Sequence, residues 1–206
     1  MNDTNTASGC ARPLRGPNAA FIPNVVVQTH DNRRAFFYDD LVRGKIVLVH
    51  CVGSQNDDAG SSESLEIMAK VQSQLGSQPD RKVFIYSLAI DPERDTPQAL
   101  RALATKYGAG EQWLFLTGEP AALEFLREQL FTHSGGHDCS SSLIRYGNEA
   151  CGVWGAVPVS GGAEAILERL AWITPRERTA GPTRRRGPAP QAEHNAAGTM
   201  IPRGQP

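Results

Sequence analysis

Cysteine is scarce in this chain, and its few positions do not match the commonest cysteine chemistries. The four cysteines of the 206 residues stand at 10, 51, 139 and 151. No two have C-x-x-C spacing, which excludes a local zinc knuckle or a thioredoxin-type dithiol. Cys139 and Cys151 are far enough apart to bridge a hairpin; otherwise the thiols are expected to be reduced and structural. Long apolar runs are missing too. No stretch approaches the roughly 18 residues of a membrane span. The polar start, Met1–Pro17, lacks the apolar centre of a secretory signal. Ala7-Ser8-Gly9-Cys10 is preceded by Asn2-Asp3-Thr4-Asn5-Thr6, the opposite of what a lipoprotein cleavage box needs. As written, the chain is expected to be cytoplasmic. Excess charge of either sign is also lacking. A net charge of −1 gives no general attraction to nucleic acid or to an anionic membrane.

What is present is enough for one good core. Residues 1–20 read as a disordered leader and 21–174 as the domain. Residues 175–206 form a Pro/Gly/Arg-rich tail that cannot bury enough apolar surface to offset its ordering entropy. Arg184-Arg185-Arg186 in that tail is too small a charge cluster for a nucleic-acid footprint and reads as solvated.

Within the domain, Val25–Thr29 and Arg34–Phe37 flank a polar turn, as a hairpin does. Ile46–Val52 is a continuous apolar run, the pattern of a strand buried on both faces. Leu65, Met68, Val71 and Leu75 recur at helical spacing, and Gly76 stops them. Val83–Ile90 is a second buried strand. It is followed by a helix with Leu100, Leu103, Ala104 and Tyr107 on one face. Trp113–Leu116 is a third strand, and Pro120 opens a helix carrying Leu123, Leu126 and Leu130. Ser142–Tyr146 and Cys151–Gly155 flank Gly147-Asn148-Glu149, a second hairpin. A last helix holds Ile166, Leu167 and Leu170 and ends at Ile173. Strands alternating with helices imply parallel strands joined by crossovers, and a closing hairpin before a final helix gives an α/β, thioredoxin-like fold with a central mixed sheet.

The most specific string is Asp91-Pro92-Glu93-Arg94-Asp95-Thr96-Pro97. Physically it ends a strand and opens a helix, with Thr96 as cap and Pro97 at the first helical position. As a string it resembles the signature after the second core strand of the Sco/SenC family, thioredoxin-like proteins that carry copper to cytochrome oxidase. The resemblance extends over roughly residues 22–172. Phe21–Val25, Phe37–Leu41, Gly44–Leu48, Trp113–Gly118 and Arg145–Glu149 fall in order at suitable spacing.

The resemblance implies a copper site of two cysteines, three residues apart, where a loop becomes a helix, completed by a histidine near the later hairpin. Thiolates at a helix N-terminus are stabilised by its dipole and select Cu(I). In this chain the corresponding positions read Asn56, Gly60 and Ser140. The implied ligands are absent, and disulfide exchange by that route is absent with them. A peroxidase on the same fold would need an activated cysteine in that loop and is disfavoured for the same reason.

Displaced residues are the alternative. His50, Cys51, His137 and Cys139 are of ligating type, but neighbours in a strand point to opposite faces, so His50 and Cys51 do not share an ion. Cys51, His137 and Cys139 remain as candidate metal or redox residues. Asp57-Asp58 read as turn acids, and Ser61 or Ser62 as a helix cap rather than a nucleophile. Trp154 and Trp172 are expected to pack in the hairpin or the core. The reading is a non-enzymatic Sco/SenC-like protein, with a protein partner docking on loop 53–62 and hairpin 140–155. Copper enters only through the resemblance, as does a periplasmic or membrane-anchored location.

Overall fold

The computed structural model describes residues 16–53, 59–76, 82–131 and 142–174. Met1–Pro175 and Arg176–Pro206 are separate compact units, and every described residue lies in the first.

The strands are β1 (Val26–Thr29), β2 (Arg34–Phe36), β3 (Ile46–Val52), β4 (Val83–Ala89), β5 (Trp113–Gly118), β6 (Leu143–Asn148) and β7 (Val153–Pro158). The helices are α1 (Ala59–Gly76), α2 (Pro97–Lys106), α3 (Pro120–Phe131) and α4 (Gly162–Ile173). One seven-stranded sheet runs β2-β1-β5-β4-β3-β6-β7. β3, β4 and β5 are parallel, while β1 and β6 flank them antiparallel. The expected α/β, thioredoxin-like architecture is therefore observed. The three parallel strands are the near-continuous apolar runs of the sequence, because helices and turns cover both faces of that part of the sheet. Val47, Leu48, Val49, Tyr86, Leu88, Trp113, Phe115 and Leu116 are fully buried.

The first hairpin turns at Asn32, which takes a left-handed φ of 66°. Phe37, expected at the end of β2, instead starts a short π-helical turn, Phe37–Val42. The buried Asn24 holds that turn: its side-chain oxygen accepts from the backbone N–H of both Tyr38 and Asp39. Tyr86 fixes the far end by donating its hydroxyl to the carbonyl of Leu41.

The second hairpin corrects the sequence reading. Gly147 and Asn148, expected in its turn, belong to β6, and the turn is Glu149–Gly152 instead. Gly152 supplies the left-handed residue, with φ of 69°. The other glycines serve close approach. Gly147 pairs with Trp154 and Gly155 with Tyr146 across the hairpin. A Cβ on Gly147 would come within 2.4 Å of the Trp154 ring, and one on Gly155 within 2.4 Å of the Tyr146 hydroxyl. Each aromatic ring lies over the glycine opposite it, a pairing that restores the contact area a glycine lacks.

Two smaller expectations are also corrected. α1 begins at Ala59, so Ser61 and Ser62 lie inside its first turn and not at its cap. Trp172 is 67% exposed at the end of α4, stacked with the Arg169 guanidinium 4.4 Å from the ring rather than packed in the core.

Candidate functional site

In a parallel α/β sheet, ligands gather at the carboxyl ends of the strands. Here that edge is formed by the ends of β3 and β4, the start of α1 and the Asp91–Pro97 turn. The turn closes on itself. Asp95 is buried, and its carboxylate accepts from the N–H of Asp91 at 3.0 Å. The Asp91 carboxylate in turn accepts from the N–H of Glu93 and lies 3.4 Å from the Arg94 guanidinium. Thr96 accepts from the N–H of Ala99 and caps α2, with Pro97 opening the helix as expected. From α3, Arg127 donates to the carbonyls of Ala89 and Ile90 and ties the helix to the end of β4. Asp91, Asp95 and Thr96 are thus engaged in building the turn itself.

His50 and Cys51 are adjacent and fully buried near the end of β3. His50 stands beside Ser87 in the β3–β4 register, with its Nε2 2.7 Å from Ser87 Oγ. Trp113 donates its indole N–H to the same Oγ at 2.9 Å. A serine hydroxyl has one proton. It also has two lone pairs, so Oγ accepts from the Trp113 indole and either donates to Nε2 or accepts from it, according to the imidazole tautomer. Nδ1 finds no partner among the described residues. Burial alone pulls the His50 pKa down to about 3, so this ring stays uncharged through the physiological range.

Cys51 is disulfide-bonded. That corrects the expectation of a reduced strand thiol, and it means that the sulfur is not a thiolate. Cys151 is free and exposed, so it is not bridged to Cys139. His137, Cys139, Asn56, Asp57, Asp58 and Ser140 lie outside the described residues. Gly60 lies in the first turn of α1. Among the described residues, no group of three or more His, Cys, Asp or Glu side chains is placed to hold a metal ion.

A second polar centre went unrecognised in the sequence. Glu149 is fully buried at the turn between β6 and β7, at the opposite end of β3 from Cys51, where its N–H donates to the carbonyl of Lys45. Its carboxylate accepts four bonds: Tyr38 hydroxyl at 2.7 Å, Asn18 N–H at 2.9 Å, Asn18 side-chain amide at 2.8 Å and Trp154 indole at 2.9 Å. Burial, then the hydrogen bond and charge of Glu149, push the Tyr38 phenol well above its ordinary range. The two Asn18 bonds bring residues 16–20, read from sequence as part of a disordered leader, onto the hairpin. The only sequence signal was a glutamate next to a turn with tyrosine and tryptophan nearby, which has no fixed spacing to search for.

This sheet and its helices define a thioredoxin-like protein. A family model described as SCO1/SenC matches residues 31–141, more than half of the chain. The chain belongs to the SCO1/SenC family. A search of curated protein sequences finds no match. Among solved structures, the chain is similar to a SCO1/SenC family lipoprotein from Bacillus anthracis, with TM-score 0.62 and 16% identity over 74% of this chain and 94% of that one. It is also similar to ScoI of Bradyrhizobium japonicum with copper bound, with TM-score 0.56 and 18% identity over 72% and 96% of the two chains. A further likeness is to MTB DsbF in its mixed oxidized and reduced forms, with TM-score 0.51 and 12% identity over 73% and 96%. At these identities the structural likenesses establish the fold.

Proposed function

We propose that this chain is a non-enzymatic member of the SCO1/SenC family, working in the sphere of copper delivery or cytochrome oxidase assembly after loss of the usual copper ligands. The carrying observation is a family scaffold whose cysteines stand at 10, 51, 139 and 151 only, so that a Cys-x-x-x-Cys pair is impossible anywhere in the chain. Asn56 and Gly60 occupy the corresponding positions. An asparagine side chain is a hard ligand and glycine has none, so the soft pair that selects Cu(I) is gone. The nearby residues of ligating type that are described have other engagements: His50 bonds Ser87, and Cys51 is in a disulfide.

What remains for function is a surface. Loop 53–62 and hairpin 140–155 are the segments we assign to a protein partner. Within the hairpin, the turn residue Cys151 and the first residue of β7, Val153, are exposed. A second reading keeps the chemistry and moves it: a metallochaperone or thiol–disulfide oxidoreductase using Cys51, His137 and Cys139. The disulfide at Cys51 favours an oxidisable pair, but its full burial removes that sulfur from attack.

Competition for Cu(I) against a chromogenic chelator separates the two readings. With the first, the reduced chain leaves the chelator complex intact. Stoichiometric removal of copper, abolished by Cys51→Ala, overturns it in favour of the second.

A further inference from the structure

Glu149 fixes two walls of a cavity. Its carboxylate holds the Trp154 indole and both the backbone and the side chain of Asn18, and Trp154 and Asn18 line a cavity of about 190 Å³. The Asn18 carbonyl accepts from the N–H of Phe21 and of Ile22, and the turn closed by those bonds brings both side chains to the same cavity. The last turn of α3 contributes Gln129 and Leu130.

Arg145 is the one charged residue of the lining. It stands two positions before Gly147 in β6, so the two share a face of the sheet. The Trp154 ring lies over Gly147 and is therefore on that face as well. The guanidinium is half-buried there, where burial works against its charge. A guanidinium carries five N–H donors in a fixed fork, stays protonated and matches a carboxylate through two parallel bonds. A partly buried pair of opposite charges is screened less by salt than a surface pair.

The rest of the lining is apolar or amide. Ile22 and Leu130 are buried, whereas Phe21, at 72%, is the most exposed large apolar side chain among the described residues. That ring keeps apolar surface in water which an entering ring would cover. A cavity of about 150 Å³ is enough for benzene. The volume here therefore suits one aromatic ring with a short acidic arm, and is too small for a nucleotide. Glu149 is not part of the lining, and its charge is met by the four donors already described.

We propose that this cavity is a binding site for a small aromatic monocarboxylate, with the carboxylate on the Arg145 guanidinium and the ring against Trp154, Phe21, Ile22 and Leu130. The recognised chemistry is a ring and a carboxylate a few bonds apart. A free acid supplies it, and so does a peptide that ends in phenylalanine. Glu149 acts through Trp154 and Asn18 as a positioning residue. The site is independent of the copper reading: Cys51 and Gly60 do not line it, and an empty cavity would leave that reading intact.

The experiment titrates the full chain, without metal, with phenylacetate, with a tripeptide ending in phenylalanine and with benzyl alcohol. The readout is the indole N–H resonance of Trp154, assigned through Trp154→Phe. At least one of the two acids should shift it saturably with a Kd of about 0.1–1 mM, ordinary for about ten non-hydrogen atoms, and the tighter binder names the source. Benzyl alcohol, which has the ring without the charge, should bind at least about tenfold more weakly than that acid. Arg145→Met should weaken that acid about tenfold or more and leave the alcohol unchanged. Phe21→Ala, at an exposed position that folding does not depend on, should weaken acid and alcohol alike by about threefold or more. No saturable shift with either acid up to about 10 mM overturns the proposal. So does equal binding of acid and alcohol, or an unchanged acid affinity in Phe21→Ala or in an Arg145→Met chain that keeps its unfolding midpoint.

Discussion

His50 and Ser87 share a 2.7 Å hydrogen bond between paired positions of β3 and β4, in a core closed to solvent. A residue that looked like a spare ligand is thus engaged in the packing through Nε2, joined through Ser87 to the Trp113 indole. Removing the hydroxyl leaves two buried nitrogens without it. Ser87→Ala should cost about 2–4 kcal/mol in urea unfolding. A loss below about 0.5 kcal/mol would mean that the three side chains are not coupled.

The same histidine makes stability depend on acid. Its folded pKa of about 3 lies below the unfolded value of 6.5. Between those values the unfolded chain binds more protons, so this contribution is complete above about pH 6.5 and is lost as pH falls toward 3. Its ceiling is about 5 kcal/mol at 1.36 kcal/mol per pH unit. His50→Phe should flatten the stability–pH profile over that window. Nitrogen NMR should show a neutral ring at pH 5, and an imidazolium there would contradict the assignment.

Glu149 offers the complementary test. An amide in place of its carboxylate turns one oxygen, which accepts two of the four bonds, into a donor facing two donors. Glu149→Gln should cost about 2–4 kcal/mol, and Tyr38→Phe about 1–2 kcal/mol. Both should increase hydrogen exchange across residues 16–22. Exchange unchanged there would show that the Asn18 contacts do not depend on the carboxylate.

The aromatic–glycine pairs of the second hairpin predict a steric defect. Gly147→Ala drives a methyl group into the Trp154 ring and should cost about 2–3 kcal/mol. The double change Gly147→Ala with Trp154→Ala should recover part of that loss. If the single variant is neutral, the ring does not lie over Gly147.

Much of the fold was legible because its signals are local and periodic. The buried runs Ile46–Val52 and Val83–Ile90, the Gly76 stop and the Thr96-Pro97 cap each declare themselves within a few residues. The second hairpin was misplaced because Gly147 and Asn148 look like turn residues, and only the ring of Trp154, seven positions on, explains a glycine in mid-strand. The site was half legible. The absence of a Cys-x-x-x-Cys pair is plain in the sequence, and so is the opposition of His50 and Cys51 across a strand. The hydroxyl bonded to His50, the indole bonded to that hydroxyl and three of the four donors around Glu149 join residues 37, 26 and more than 100 positions apart. Nothing in the chain's periodicity marks such pairs.

If only the ligands are missing, restoring them should restore the chemistry. Asn56→Cys, Gly60→Cys and Ser140→His together should confer one tight Cu(I) site per chain, with a thiolate-to-copper absorption band. A triple variant that folds, by its unfolding midpoint, and still binds no copper would show that more than the ligands has changed.

The central claim is a family scaffold without the family's copper ligands, and the most direct measurement is a Cu(I) competition titration of the unmodified, reduced full chain, run beside that triple variant. The unmodified chain should leave the chelator's copper in place while the variant removes one equivalent. Removal of one equivalent by the unmodified chain would contradict the account.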